Sequence, residues 1–479
     1  MNIPEIKFPN LDADFIKNPY PHLKTLRESS PLYRDINSDL VLVTRFEDVK
    51  GVQTSKAFSS SEPEDLHTFR KTNESGETYP YFWKTEEFSL LNLEGQLHGD
   101  LRGLVAKAFS TRQVQELRPF MEGKSSELLN NLKGSSFDLL ADYAQPYSVS
   151  VIGKLLGVPE EQYDNFLDWS NKIVKMYDLE VSNESSQEAE IAAKEFYFYI
   201  SELIDEKVKN PGDDMISRLS QVTENDQRLT KDQIICTVIL LLNAGHEATV
   251  NTIGNSIVAL RQNDIDTKDL DKRYEIKKII EELIRWDSPL QFFQRWVLED
   301  TSLGGYELKK NSKIAILLGS ANRDELAFEN GEEINFKRDN LSHTSFGGGV
   351  HFCLGAHLAR LELEVSFTNL FKNAISLLSE PERTGAFGIR GYKEIIVSID
   401  WTEFDSDDHS AIVLSMQTSH GRNSPLLWKT HKKSLLKGQR NAHEDELLIR
   451  LKETLPDGVK VTVVADRGFG DTALFAFLE

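Results

Sequence analysis

Cys353 stands in FGGGVHFCLGAHLAR, residues 346–360, a loop that also holds Gly347, Gly348, Gly349 and Gly355. A cysteine in such an open loop has four chemical uses. A zinc site needs three further donors at short spacing. No such cluster surrounds Cys353, and the other cysteine, Cys236, lies far away on an apolar helical stretch. A disulfide is disfavoured because two cysteines in 479 residues point to a reducing compartment. A nucleophile needs a histidine base. His351 is two residues away, but such partners usually meet in space rather than in sequence. The remaining use is an axial thiolate on haem iron. Glycines let the backbone approach a macrocycle, and backbone N–H groups and the start of the following helix stabilise the charge on sulfur.

FGGGVHFCLG resembles the cysteine-loop signature of cytochrome P-450, the haem-thiolate monooxygenases. Phe346, Gly347, Gly349, His351, Cys353 and Gly355 occupy the signature positions. The resemblance covers about residues 9–397 and implies haem b ligated by the Cys353 thiolate. Glu282 and Arg285 in EELIRWDSP are three apart and share a helical face. With Phe336 and Arg338 in INFKRDN they resemble the family's Glu–Arg–Arg lock behind the cysteine loop, and SANRDELAF resembles the stretch joining the two. Haem propionates call for arginine and histidine. His98 and Arg102 are four apart on one helix, and the resemblance adds Arg295 and His351.

LLNAGHEATVNTIGN places a glycine and a glutamate inside an apolar helix, where both are costly. The resemblance explains them: Ala244 and Gly245 would lie against the haem face and leave room for dioxygen, and Glu247 would belong to the proton path. The family's acid is usually followed by a threonine. Ala248 stands there instead, with Thr249 one residue later, so Thr249, ordered water or a substrate hydroxyl must supply that hydrogen bond. The Asp-Pro-Pro run common before the His98 helix is also missing from LLNLEGQLH. By resemblance, the aromatic stretch TYPYFWKTEEFSLL and the pair Phe292 and Phe293 line a mostly apolar substrate pocket.

Around these groups, residues 16–379 read as mainly helical, with apolar residues three and four apart. Residues 231–262 are apolar nearly all round and should form a long core helix. DLVLVTRF and GGYELKKNSKIAILLGS read as short strands. Hydrophobic residues are 39% and charged residues 27%, ordinary for a globular enzyme. The net charge of −21 argues against broad binding to nucleic acid or anionic membrane. The N-terminal stretch lacks a signal-peptide pattern, and the expected location is cytoplasmic.

Past residue 398 the texture changes to strand-like runs around one helical stretch. Asp400 and Asp466 each end such a run, the order of a ribonuclease H-like fold in which carboxylates hold two metal ions. HGRNSPLLW and ADRGFGD resemble DDE-type insertion-sequence transposases, whose third carboxylate is expected further downstream than Glu479. The expected organisation is therefore a mostly α domain with small β-sheets, residues 1–398, and an inactive, truncated α/β transposase-like fragment, residues 399–479.

The resemblance implies insertion of one oxygen atom of dioxygen into a C–H bond of an apolar small molecule. The sequence has no flavin-binding stretch or ferredoxin-type cysteine set. Electrons are therefore expected from a ferredoxin or flavodoxin with its reductase, acting on a monomer. The competing readings are a peroxide-using or rearranging haem-thiolate enzyme, a haem-binding protein without turnover, and a DNA-binding transposase remnant.

Overall fold

The computed structural model describes residues 2–63, 78–132, 136–177, 181–224, 227–400, 409–417, 423–432 and 450. The helices that build the site are α1 (Pro80–Glu86), α2 (Gly95–Ala108), α3 (Arg118–Asn131), α4 (Gln145–Leu156), α5 (Asn183–Lys209), α6 (Lys231–Gln262), α7 (Ile276–Trp286) and α8 (Ala356–Leu370). α6 is the axle. It starts at a capping box, in which Thr230 accepts from the Gln233 N–H and the Gln233 side chain accepts from the Thr230 N–H. It then runs 32 residues with α4, α5 and α8 packed around it. Its length and composition would suit a membrane span, but most of it is buried inside the fold. The sequence pattern is that of a core helix.

A six-stranded sheet flanks the helices in the order β1 (Glu5–Ile6), β2 (Leu32–Asp35), β3 (Val41–Val43), β7 (Lys313–Leu317), β6 (Phe292–Val297) and β4 (Phe58–Ser59). β7 pairs parallel to β3 and antiparallel to β6. Because side chains alternate along a strand, β6 sends Phe293 and Arg295 to one face and Phe292 and Gln294 to the other.

A second sheet joins β5 (Ser136–Asp138), β9 (Ile396–Asp400) and β8 (Ala374–Leu377), with β9 in the centre. The expected boundary after residue 398 therefore cuts a strand. Ile396–Asp400 closes a sheet of the large domain, and the strand that ends at Asp400 belongs there. Of the following segment, the structure describes the hairpin β10 (His409–Gln417) and β11 (Asn423–Lys432). Asp466 lies outside the described residues.

Candidate active site

The cysteine loop is held from behind. Glu282 and Arg285 are buried to 0% and 1% exposure and form a two-pronged pair, Nε to Oε2 and Nη2 to Oε1, both at 2.8 Å. Arg338 Nε donates to Glu282 Oε2 at 3.2 Å, so the expected Glu–Arg–Arg triad is assembled. Arg285 also donates to the carbonyls of Asn322 and Gly331. The Asn322 side chain accepts from the Thr344 N–H and hydroxyl at 2.8 Å and donates to Ser345 Oγ. This chain of bonds ends one residue before Phe346.

Within the loop, the Cys353 N–H donates to the Phe346 carbonyl at 2.8 Å. Gly347 and Gly349 adopt φ of 70° and 61°, the left-handed region open to glycine. A Cβ on Gly349 would stand 2.5 Å from the Gln53 carbonyl oxygen. Gly355 differs: a Cβ there would meet Cys353 Sγ at 3.9 Å, an ordinary contact. Burial pushes the Cys353 thiol up. The Gly355 and Ala356 N–H groups and the positive charges of Arg102 and Arg360 work in the other direction.

Above the loop, Glu94 is the N-cap residue of α2, and His98 and Arg102 follow within the helix, four residues apart. His98 is 2% exposed, and among the described residues its Nε2 has no hydrogen-bond partner. Burial and the neighbouring His351 and Arg102 push it down to about 4. His351 packs its ring 4.5 Å from that of His98 and bonds through Nε2 to Glu94 Oε1 at 3.0 Å. Burial works against the Glu94 anion, but His351 and the Ser60 N–H win and hold the carboxyl at about 2. Arg102 donates to the Phe352 carbonyl. Arg295 donates to the Gln294 carbonyl at 2.7 Å and, among the described residues, has no carboxylate within ion-pair distance.

On α6, Ala244 is exposed and Gly245, Glu247 and Ala248 are half-exposed, although the helix is buried on both sides of them. Three of the expected residues are placed as follows. A Cβ on Gly245 would meet Ile152 of α4 at 3.1 Å, so Gly245 serves helix packing while Ala244 takes the open side. Thr249 is two residues, about 200° of helix, from Glu247. Its hydroxyl donates to the Gly245 carbonyl at 3.4 Å. Phe292 lies in a cavity of about 360 Å³ with Phe8 and Phe387, on the far side of the sheet from Phe293. Phe293 faces the loop, 3.9 Å from where a Gly347 Cβ would stand. His246 is buried beside Leu242 and Glu247, as a packing residue would be.

Sequence reasoning missed three supports. Glu94 was within reach, since it is four residues before His98. Arg360 lies 4.4 Å over the Phe346 ring and pairs with Glu281 through two bonds, 2.6 and 2.9 Å. Asn322 ties the triad to the loop. Neither of these last two leaves a local signal, because their partners are distant in sequence.

A planar dianionic macrocycle fits these residues. The loop presents a sulfur ringed by N–H groups, α6 turns an alanine outward in mid-core, and a histidine and an arginine at the rim keep unused donors. The cytochrome P450 family model matches residues 257–374. The steroid C26-monooxygenase of Rhodococcus jostii (strain RHA1) is 32% identical over 411 residues, 83% of this chain and 85% of that protein. The polyketide biosynthesis cytochrome P450 PksS of Bacillus subtilis (strain 168) is 32% identical over 409 residues, 81% of this chain and 97% of that protein. The crystal structure of P450BioI in complex with hexadec-9Z-enoic acid ligated acyl carrier protein matches with a TM-score of 0.74 at 30% identity. It covers 81% of this chain and 99% of that one. With the expected lock assembled behind a thiol in a glycine loop, and relatives matched over most of their length, this chain belongs to the cytochrome P450 family, as a haem-thiolate monooxygenase that draws its electrons from an external redox partner.

Proposed function

We propose that Cys353 is the axial thiolate, that His98, Arg102, Arg295 and His351 hold the propionates, and that Glu247 passes protons to the reaction. The substrate is a mostly apolar small molecule of steroid, polyketide or long-chain acyl size. The observation that carries the reading is the Cys353 loop, its sulfur faced by two N–H groups and backed by the Glu282–Arg285–Arg338 lock.

Haem, when bound, supplies the oxygen chemistry: dioxygen, two electrons and two protons leave one oxygen atom in a substrate C–H bond and one in water. The residues supply position and charge. The Gly355 and Ala356 N–H groups and Arg102 favour the thiolate form of Cys353. His98 Nε2 and the Arg295 guanidinium meet carboxylates without giving up a bond to another acid. Glu247 is held by the Asn251 amide at 3.4 Å, which keeps its carboxylate on the helix face between Ala244 and Asn251. The aromatic helix α1 and Phe293 wall the substrate side, and the relatives named for steroid and polyketide chemistry support a substrate of that size.

Ala248 favours a second reading. With a methyl group there and the Thr249 hydroxyl bonded to Gly245, oxygen activation lacks a fixed alcohol, so peroxide use or poor coupling follows. Product formed from hydrogen peroxide without an electron donor would select it.

The segment after Asp400 is a transposase-like fragment without a part in this chemistry. The near-complete coverage of P450BioI by four-fifths of this chain supports that separation. The protein is cytoplasmic.

The test is the carbon monoxide difference spectrum of the reduced protein. A strongly red-shifted Soret band in wild type and its loss in Cys353→Ser are expected. An unchanged band in the variant would remove Cys353 as the ligand.

A further inference from the structure

The mechanism leaves the far face of the six-stranded sheet unused, and a cavity of about 360 Å³ lies against it. That volume is within the range of small-molecule sites. Its floor follows from strand alternation. On β7, Lys313, Ala315 and Leu317 share the face turned away from Phe293 and Arg295, opposite Trp296, Gln294 and Phe292 of β6. All of these but Trp296 line the cavity. Ala315 leaves the space, since its neighbours across the two ladders, Leu42 and Gln294, are both larger. The two ends differ. At one, Phe292 stacks on Phe387 with ring centroids 5.9 Å apart, and Phe8 meets Phe387 edge-on at 5.5 Å. At the other stands Lys313, four residues or about 13 Å along the strand.

Lys313 is half-buried, and its ammonium sits 5.3 Å from the centroid of the Trp296 ring. Among the described residues it makes no hydrogen bond and has no carboxylate within ion-pair distance. Burial pushes it down, and Glu62, which works the other way, acts only at longer range. The acid of the cavity is already engaged: Asp35 accepts from the Phe8 and Ser38 N–H groups and from the Ser38 hydroxyl. It also lies beyond Leu40, two strands or about 10 Å from Lys313. A half-buried cation without an anion, at one end of an apolar cavity, is an arrangement that a carboxylate completes.

We propose that this cavity is a second ligand site, on the side of the sheet away from the cysteine loop, and that it takes an amphiphilic monocarboxylate. The acid group pairs with Lys313, and an alkyl or aryl body lies over Ala315 against Phe292, Phe387 and Phe8. Such a ligand contacts β6 from the face opposite Arg295, so its binding needs no access to Cys353. An alcohol of the same shape keeps the apolar contacts and loses the ion pair, which makes the acid the preferred occupant.

The experiment uses the haem-loaded full chain and two matched probe pairs, decanoate with 1-decanol and 4-phenylbutyrate with 4-phenyl-1-butanol. Each is titrated by calorimetry while the Soret band is recorded. Wild type should bind at least one acid about tenfold tighter than its alcohol, at one site whose filling leaves the Soret band in place. Lys313→Met should bring that pair within about twofold, mainly by weakening the acid, and Lys313→Arg should keep the preference. Ala315→Leu, which fills the cavity, should weaken acid and alcohol alike by about tenfold. The carbon monoxide band and the melting temperature without ligand show that each variant is folded, and the two Lys313 variants carry the test if Ala315→Leu is not. Failure of wild type to bind either acid, or to prefer it over its alcohol, overturns the proposal. So does a preference that Lys313→Met leaves intact. Acid binding that appears only together with a Soret shift places the acid on the haem side of the sheet and also overturns it.

Discussion

Glu247, proposed above for the proton path, takes a bond from Asn251 at 3.4 Å and has the methyl group of Ala248 beside it. Glu247→Gln keeps the shape and removes the acid. A positioned acid or base is worth about 10² to 10⁴ in rate, so turnover should fall at least about a hundredfold while the substrate-induced spin shift stays. Stopped-flow reduction and steady-state rates measured side by side would check this, and an unchanged rate would take Glu247 out of the path. A second carboxylate acts on stability. Burial alone would raise Glu281, but Arg360 and His343 hold it at about 2 against an ordinary 4.5. A depressed acid stabilises the fold above its unfolded value and loses that contribution as pH falls from about 4.5 through 2. Glu281 is 15% exposed, and the shift corresponds to about 3 kcal/mol. In urea melts between pH 5 and pH 3, Glu281→Gln should show a shallower acid decline than wild type. An equal slope would mean that the pair is worthless to the fold.

At the scale of elements, the cysteine loop is tied to the helix behind it through Asn322. α7 contributes Glu282 and Arg285, whose charges are buried together with Arg338 and satisfied by each other and by the carbonyls of Asn322, Gly331 and Glu333. Removing one partner of such a set leaves uncompensated charge and costs about 3–5 kcal/mol. Glu282→Gln should therefore lower the urea midpoint sharply. It should also weaken haem retention, because Asn322 then loses its fixed position against Thr344 and Ser345. A variant with normal stability and normal haem transfer to apomyoglobin would show the triad to be dispensable. Part of this arrangement is legible in sequence. Glu282 and Arg285 meet because residues three apart on a helix are neighbours, and the length of α6 follows from its unbroken apolar pattern. Which way Thr249 points is set by about 200° of helix and by Ile152 packing against Gly245, a tertiary contact that spacing does not encode. Phe292 and Phe293 look alike as a pair, but strand alternation sends them to opposite faces of the sheet, and only the packing of Phe292 with Phe8 and Phe387 and of Phe293 near Gly347 tells which is which.

For the whole molecule, the question is where the catalytic domain stops. The change of texture after residue 398 is real in the sequence, yet the last strand of the domain runs two residues past it. Hydrophobic alternation cannot separate a closing strand from an opening one. The register puts β9 between β5 and β8. Ile395 and Val397 are fully buried. Outside the ladder, the Ile395 N–H donates to Asp138 Oδ1 at 3.0 Å and its carbonyl accepts from the Leu139 N–H at 2.9 Å. Burying each of these side chains is worth about 1.5–3 kcal/mol, and without β9 both β5 and β8 become unpaired edges. Two truncations divide the possibilities. A chain ending at residue 400 keeps this sheet whole and should match full-length protein in melting temperature, in the carbon monoxide band and in turnover. A chain ending at residue 394 loses the strand and should be insoluble or melt far lower. If the 400-residue chain lost the haem band, the segment after Asp400 would be part of the working enzyme and its reading as an idle appendage would fail.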